Sequence, residues 1–303
     1  MQHHVATVIV SYNSCRWLDR CLGSLRERGL LDTTIVVDNA SSDDTVKRIE
    51  RDFGEVTLLR NERNLGFGKA NNRGMALAMK RGADAVLLLN HDAWLIDHSL
   101  PIAVDYLVRS PALGMLAPLH VQPDGRRLDR LFEHFLAQSG VQEPGEQQLH
   151  EVSFVNGAVW LLARRSLERV GGFSPAFFHY GEDRDYAARL RYHGLTLAVW
   201  SGWRVVHDRA ERRVGWDQDP KRQVGTLRVG LQQRLHDLER GPSERFIETA
   251  NWTLGNLWSA VRAGYYPAVR AAGAALHSAW ADRRQRHVLR QQLSRPGQHF
   301  LHD

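Results

Sequence analysis

The chain carries 303 residues, 43% of them apolar and 24% charged, a balance that excludes a mainly disordered protein. Two cysteines are too few for a disulfide scaffold, and no run of about 18 apolar residues is present to span a bilayer. The formal charge of +6, with most of the excess late in the chain, suits a polyanionic partner such as a nucleotide, a nucleic acid or an acidic membrane surface.

No basic region precedes the strand-like VATVIVS (5–11), so no signal peptide is expected. A helix is predicted from Ser14, its expected N-cap, to Gly29. Cys15 and Cys21 would lie roughly 9 Å apart along that helix, too far for a disulfide, and the simple expectation is a reducing cytoplasm. TTIVVD (33–38) reads as the second strand, and the helix after it opens at SSDDT (41–45). VTLLRN (56–61) is a third strand, Lys69–Arg81 a helix and AVLLLN (85–90) a fourth strand. Short apolar strands separated by helices predict an α/β fold with a mostly parallel sheet covered on both faces.

Beyond residue 100 the pattern is mixed. A helix near Ser99–Arg109 leads to the strand LGMLAPLHV (113–121), and the polar stretch 122–150 reads as a mobile loop. FVNGAVWLLA (154–163) is a strand, RRSLERVGGF (164–173) a short helix stopped by glycines, and EDRDYAARLRYHG (182–194) a helix with an acidic first turn. LTLAVW and WRVVHD close this half. From about Glu211 the chain turns helical and rich in Arg and Trp. Leu254, Leu257, Trp258, Val261, Tyr265, Val269, Ala272, Leu276 and Trp280 recur at three- and four-residue steps, as one apolar stripe with a kink expected at Pro267. Arg262, Arg270, Arg283, Arg284, Arg286 and Arg290 flank it.

Ligands of parallel α/β sheets bind outside the carboxyl ends of the strands. The first strand ends on Ser11-Tyr12-Asn13, the second on Asp38-Asn39 and the fourth on Asn90-His91-Asp92. One polar strand end is ordinarily a cap or turn; three on one rim point to a binding crevice. The loop from Arg63 to Lys69 adds Gly66, Gly68 and a helix N-terminus suited to phosphate. It lacks the full G-x-G-x-x-G fingerprint, which disfavours a nicotinamide enzyme.

The pieces VSYNS (10–14), VVDNASSDDT (36–45), NLGFGKANNRG (64–74), LLLNHDA (87–93), FVNGAVWLLARRSLERVGGF (154–173), FFHYGEDRDYAARLRYHG (177–194) and VVHD (205–208) together resemble the family 2 glycosyltransferases of GT-A fold, rhamnosyltransferase-like branch. The resemblance covers residues 5–210 and implies a catalytic domain over 1–210, with a nucleotide-sugar half to about residue 100 and an acceptor half after it. Residues 211–303 would form a basic amphipathic helical extension. By the same resemblance Asp38 would bond the nucleotide base beside Tyr12, with Asn13, Asn39, Asp43, Gly66 and Lys69 near base or phosphates. Asp92 would be the metal-binding end of a DxD motif holding Mg²⁺ or Mn²⁺ against the diphosphate, with Asn90 standing where the motif has its first Asp. His207 would join that metal, Asn156 and Gly157 would line the donor sugar, and Glu182-Asp183 would contain the base, with Asp183 as the choice. His91 is expected to be a solvated loop histidine.

The implied activity is inverting, metal-dependent transfer of a sugar, plausibly L-rhamnose from dTDP-rhamnose, onto a glycan or polyprenyl-diphosphate-linked acceptor in surface polysaccharide synthesis. Trp160 and the group Phe177, Phe178, His179 and Tyr180 would shape the sugar and acceptor pockets. The C-terminal helices would either lie on the inner face of the cytoplasmic membrane or pack on the domain or in a homodimer. A nucleotidyltransferase would need a glycine-rich basic signature near the first strand, and VSYNSCRW has none. A degenerate nucleotide-sugar-binding or scaffolding subunit is the non-enzymatic alternative, permitted by Asn90 and opposed by Asp92 with Asp183. Nucleic-acid binding rests on net charge alone and is not expected.

Overall fold

The computed structural model describes residues 3–209, 220–262 and 266–301. The first half alternates as read: β1 (Val5–Ser11), a 3-10 turn (Cys15–Trp17) running into α1 (Leu18–Arg26), β2 (Thr34–Asp38), α2 (Thr45–Asp52), β3 (Thr57–Arg60), α3 (Phe67–Lys80) and β4 (Ala85–Leu89). Strands β3, β2, β1 and β4 are adjacent and parallel, with Ser11 opposite Asp38 and Val8 opposite Leu88. Their carboxyl ends therefore share one rim. Neighbouring residues of each strand face opposite layers: Val8, Val37 and Leu88 enter one core, and Ile9, Val36 and Leu89 the other. Both faces are covered, which explains strands without a polar side.

The second half adds β5 (Ala93–Leu95), α4 (Leu100–Arg109), β6 (Leu113–Val121), α5 (Arg130–Gln138), β7 (Leu149–Glu151), β8 (Val159–Ala163), α6 (Arg164–Arg169), α7 (Glu182–Tyr192) and β9 (Thr196–His207). The sheet runs β3-β2-β1-β4-β8-β6-β9-β5, with β7 on β9. Here the parallel pattern gives way: β8 is antiparallel to β4 and β6, and β5 and β7 are antiparallel to β9, so the whole sheet is mixed. LTLAVW and WRVVH are one strand, interrupted where Trp200 pairs with Pro118 and Arg204 with the next residue, Leu119.

The stretch 122–150 is not one loop. It contains α5, capped by Asp129, whose carboxylate accepts from the Leu131 and Phe132 N–H groups. Phe132, Phe135 and Leu136, spaced for one helical face, are buried. Ser14 likewise does not cap with its side chain. Its hydroxyl accepts from the Tyr12 N–H at 2.9 Å, and its own N–H donates to Thr45 Oγ1 at 2.8 Å.

The C-terminal part forms α8 (Pro220–His236), α9 (Pro242–Arg262), α10 (Tyr266–Ala281) and α11 (Arg283–Leu293). The expected single stripe is thus divided between α9 and α10. Tyr265 lies outside the described residues, and Pro267 is the second residue of α10, a first-turn position that needs no kink. None of the described helices is long and apolar enough to cross a membrane.

The chain then returns to the α/β body. His193 Nε2 lies 2.9 Å from the Leu293 carbonyl, Gly297 N–H donates to Arg169 O, and Gly172 N–H donates to His299 O at 2.7 Å. Gly171 has φ +82, and a Cβ there would stand 2.6 Å from the His299 backbone, so glycine permits the docking. Leu301 ends up in the core cluster with Phe173 and Trp160. Leu301→Ala should lower unfolding free energy by about 2–4 kcal/mol. Denaturant titration would show this, and an unchanged midpoint would mean that the tail is not part of the core.

Candidate active site

A cavity of about 410 Å³ opens at the shared rim, and its lining includes Tyr12, Asn39, Gly66, Asn90, Asp92 and Phe178. All six are residues the sequence pointed to. Asn13, Asp38, Asp43 and Lys69 do not line it. Asp38 is buried, and its carboxylate accepts from Ser11 Oγ at 2.9 Å, Ser41 Oγ at 2.5 Å and Ser41 N at 2.9 Å. Asn13 Oδ1 accepts from Ser42 N, and Asp43 Oδ1 accepts from Thr45 N and Oγ1. These side chains lock the loops behind the cavity wall. Lys69 is exposed on the first turn of α3.

Asn39 is both wall and clamp. Its amide donates to Asn64 Oδ1 and Gly66 O, while its Oδ1 accepts from Asn61 Nδ2 and Leu65 N. That fixes the glycine loop at the mouth. Gly66, at φ +82, accepts the close approach of the Phe178 carbonyl, into which any Cβ would run. The neighbouring Phe67 N–H donates to that carbonyl at 3.2 Å. The segment 177–181 is therefore seated on the phosphate-type loop, and Phe178 and His179 form the outer wall of the cavity. Phe177 and Trp160 are buried in packing instead; Trp160 stacks with Phe173 at 6.2 Å.

Pairing of β5 with β9 sets Ala93 opposite His207, and Asp208 N–H donates to Asp92 O at 2.9 Å. As a result His207 Nε2 faces Asp92 Oδ1 at 3.5 Å, both groups buried. Arg209 Nε donates to His207 Nδ1 at 3.2 Å and lies 3.4 Å from Asp129, the cap of α5. A fully buried His120 stacks on Phe132 at 4.2 Å and meets the His207 ring edge-on at 5.9 Å. Burial, then the neighbouring His207 and Arg209, hold His120 well below the usual histidine range, so this ring is neutral backing. No cluster of three or more His, Cys, Asp or Glu ligands occurs among the described residues. His91 is not solvated: it is half-buried, its Nδ1 donates to Val10 O at 3.1 Å, and its ring packs 5.1 Å from Trp17.

The acidic turn at the start of α7 is linked to the end of β4 through one short segment. Asn90 N–H donates to Ala158 O at 2.9 Å, extending the β4–β8 ladder, and the adjacent Gly157 N–H donates to Asp183 Oδ2 at 3.4 Å. A Cβ on Gly157 would stand 3.3 Å from Asp183 Cβ, so the approach is close. Asn156, just before it, is buried with its Oδ1 unpartnered. Burial raises Asp183 above the ordinary carboxylate range, against hydrogen bonds from Arg184 N and Gly157 N. Asp185 is not available as a base, because it is buried against Arg189 at 2.8 Å.

The sequence did not assign His120, Arg209 or Asp129. Asp129 and Phe132 belong to the short helix hidden in a polar stretch; the signal was the Asp followed by apolar residues at three- and four-residue steps.

Glu182 is buried beneath Asp183 with Oε2 unpartnered, and burial first, then the Asp183 and Asp185 charges, push it up to about 8. Its folded value exceeds the ordinary 4.5, so the contribution is full below about pH 4.5 and is lost as pH rises toward 8. The loss is on the order of a few kcal/mol. Glu182→Gln should give a shallower decline in urea midpoint from pH 5 to 8 than the parent; identical slopes would refute the assignment.

Residues 7–171 match the model of Glycosyl transferase family 2. An N-acetylglucosaminyl-diphospho-decaprenol L-rhamnosyltransferase of Mycobacterium tuberculosis is 27% identical over 291 residues, covering 78% of this chain and 94% of that protein. The fold is similar to a mannosyltransferase, PcManGT, from Pyrobaculum calidifontis in complex with GDP-Man and Mn²⁺, with 21% identity and a TM-score of 0.58 over 93% of this chain and 76% of that one. It is also similar to GalNAc-T7 with UDP, GalNAc and Mn²⁺, with 17% identity, a TM-score of 0.55 and 75% of this chain covered, although the match spans only 47% of that chain. With a family match over more than half its length and a mixed sheet similar to those of solved glycosyltransferases, this chain belongs to glycosyl transferase family 2 and is a glycosyltransferase of GT-A fold.

Proposed function

We propose that the protein transfers a sugar, by inversion, from a nucleotide donor held in the rim cavity to a hydroxyl delivered beside Asp183. The observation that carries this reading is the Gly157–Ala158 segment, which bonds Asn90 on one side and Asp183 on the other. It supports one reaction centre with a donor side and an acceptor side. The L-rhamnosyltransferase relative favours dTDP-L-rhamnose as donor and a polyprenyl-diphosphate-linked glycan as acceptor, in surface polysaccharide synthesis.

Asp92 and His207 suit a divalent cation: a hard carboxylate oxygen and an imidazole nitrogen face each other at 3.5 Å, and hard cations take their remaining ligands from diphosphate and water. Binding through Nε2 requires the His207 proton to sit on Nδ1, so Arg209 would turn from that nitrogen toward Asp129. When bound, Mg²⁺ or Mn²⁺ would neutralise charge building on the leaving diphosphate. Asn90 and Asn39 would hold donor hydroxyls, and Tyr12 would lie against the base. Asp38 would support the base side through Ser11 and Ser41 or its remaining acceptor capacity.

Asp183 receives the proton of the acceptor hydroxyl as its oxygen bonds to the anomeric carbon. The bond to the nucleoside diphosphate breaks on the opposite face, and its electron pair leaves with the diphosphate. The raised Asp183 value brings this base nearer working pH than a solvated carboxylate. Asp183→Asn should reduce turnover by at least about 10²-fold while donor affinity is kept. Asp92→Ala should instead lose the Mn²⁺-dependent part of nucleotide affinity in calorimetry. Unchanged turnover in the first, or unchanged metal dependence in the second, would reject these roles and favour a binding or scaffolding subunit.

The C-terminal helices suit a membrane surface. On α9, Ile247, Leu254, Trp258 and Val261 are exposed along one face, opposite buried Arg245 and Thr249. Exposed Leu276 and Trp280 continue this character on α10, with Arg283 over the Trp280 ring at 3.9 Å. Arg262, Arg270 and Arg284 are exposed nearby in sequence, whereas Arg286 and Arg290 turn inward and are partly buried. We therefore place the enzyme at the inner face of the cytoplasmic membrane, where a lipid-linked acceptor resides. The protein should co-sediment with anionic liposomes at low salt, and Trp258→Glu should weaken this several-fold; equal recovery without liposomes would end the membrane reading.

A further inference from the structure

A second cavity, of about 200 Å³, lies between α7 and the α8–α9 turn. Phe154 forms one wall, three residues before the Gly157 that bonds Asp183. Arg184, the residue after Asp183, places its guanidinium carbon 4.1 Å from the Phe154 ring centroid. Arg189, Arg191, Arg234 and Arg240 also line it, together with Asp185, Asp237 and Glu239, so five arginines face three carboxylates.

Their partners do not balance. Arg191 is held by both oxygens of Glu239, at 2.9 and 2.5 Å. Arg240 pairs with Glu248 and with Asp237 at 3.2 Å. Arg234 reaches the same Glu248 only at 3.7 Å, lies over Trp252 at 4.4 Å, and leaves its Nε buried without a hydrogen-bond partner. Arg184 has no carboxylate within ion-pair distance among the described residues, its contacts being the Phe154 and Phe135 rings. Burial, then the Arg240 and Arg184 charges, lower Arg234 from its ordinary value. Like charges gathered around a small cavity destabilise one another, and a multivalent anion offsets that.

The exit from this cavity is also informative. A groove of about 730 Å³ shares Arg234, Asp237, Glu239 and Arg240 with it and runs past Glu244 and Glu248 to Trp252 and Ile247 of α9. Ile247 begins the exposed apolar face of that helix. Cavity, groove and apolar face thus follow one another from Arg184, the residue after Asp183, to α9.

We propose that Arg184 and Arg234 bind the diphosphate of the lipid-linked acceptor, with its sugar reaching Asp183 and its prenyl chain leaving along α9. The proposal rests on the acceptor reading above and gives the helical extension a direct part in substrate binding. Paired arginine forks suit phosphate oxygens, and two of them match a diphosphate better than a single lysine would.

Two assays on the full chain separate the site from the overall reading. In metal-free buffer, calorimetry with inorganic pyrophosphate should show binding to the parent and to Asp92→Ala, and at least ten-fold weaker binding to Arg184→Ala and to Arg234→Gln. In transfer assays the two arginine variants should raise acceptor KM at least ten-fold for a diphosphate-linked acceptor, with donor KM unchanged and no comparable rise for a neutral glycoside of the same sugar. Absence of pyrophosphate binding, its loss in Asp92→Ala alone, or equal KM changes on both acceptors would overturn the proposal. Should the parent transfer to neither acceptor, the acceptor reading fails while the calorimetric result still decides the anion site. Arg184 is exposed, so its variant should keep the parent melting temperature; a large drop would mark a structural role and count against the proposal.

Discussion

Two hydrogen bonds made by neighbouring backbone groups join the two sides of the proposed reaction centre. Ala158 O takes the Asn90 N–H at the end of β4, and Gly157 N–H meets Asp183 at the start of α7. Asn90 and Asp183 are 93 positions apart in sequence, yet this segment ties the donor rim to the acceptor side. It can do so because β8 is antiparallel to β4, so the residues entering β8 pass beside those leaving β4. A parallel β8 would have put its far end at the rim. The switch of strand direction in the second half of the sheet is therefore what brings Asn90 and Asp183 to one segment.

Around that centre, rigidity comes from polar side chains bound to other loops. Asp38, Asn13, Asn39 and Asp43 each join two segments, and Gly66 admits the Phe178 carbonyl. The cavity wall is a set of mutually satisfied loops beside Asp92, which lies 3.5 Å from His207. Glu182 is buried and Asp183 half-buried, and both have raised proton affinities, which suits the base role proposed for Asp183.

Much of this was legible in the sequence because periodicity and strand ends are local signals. Apolar runs closing on Asp38-Asn39 and Asn90-His91-Asp92 marked the strands and their shared rim, and family motifs pointed to Asp183 and His207 as candidates. Long-range facts were not legible. Nothing local says that Asp38 turns inward to two serines, that Leu301 returns to the core, or that Arg184 and Arg234, 50 positions apart, meet at one cavity. The α5 helix was hidden because its three buried apolar residues sit in a polar stretch. The apolar stripe read across Pro267 divides between two helices, since a three- and four-residue spacing continues through a turn as readily as along a helix.

The central claim is that Asp92 and Asp183 serve one cleft. Crystals grown with Mn²⁺ and a nucleoside diphosphate, measured by anomalous scattering at the manganese edge, test it most directly. The account predicts a single strong peak within ligand distance of Asp92 and His207, with the diphosphate on the side of the cation that faces Asp183. A cation bound elsewhere, or a nucleotide walled off from Asp183 by the Asn156–Ala158 segment, would contradict it.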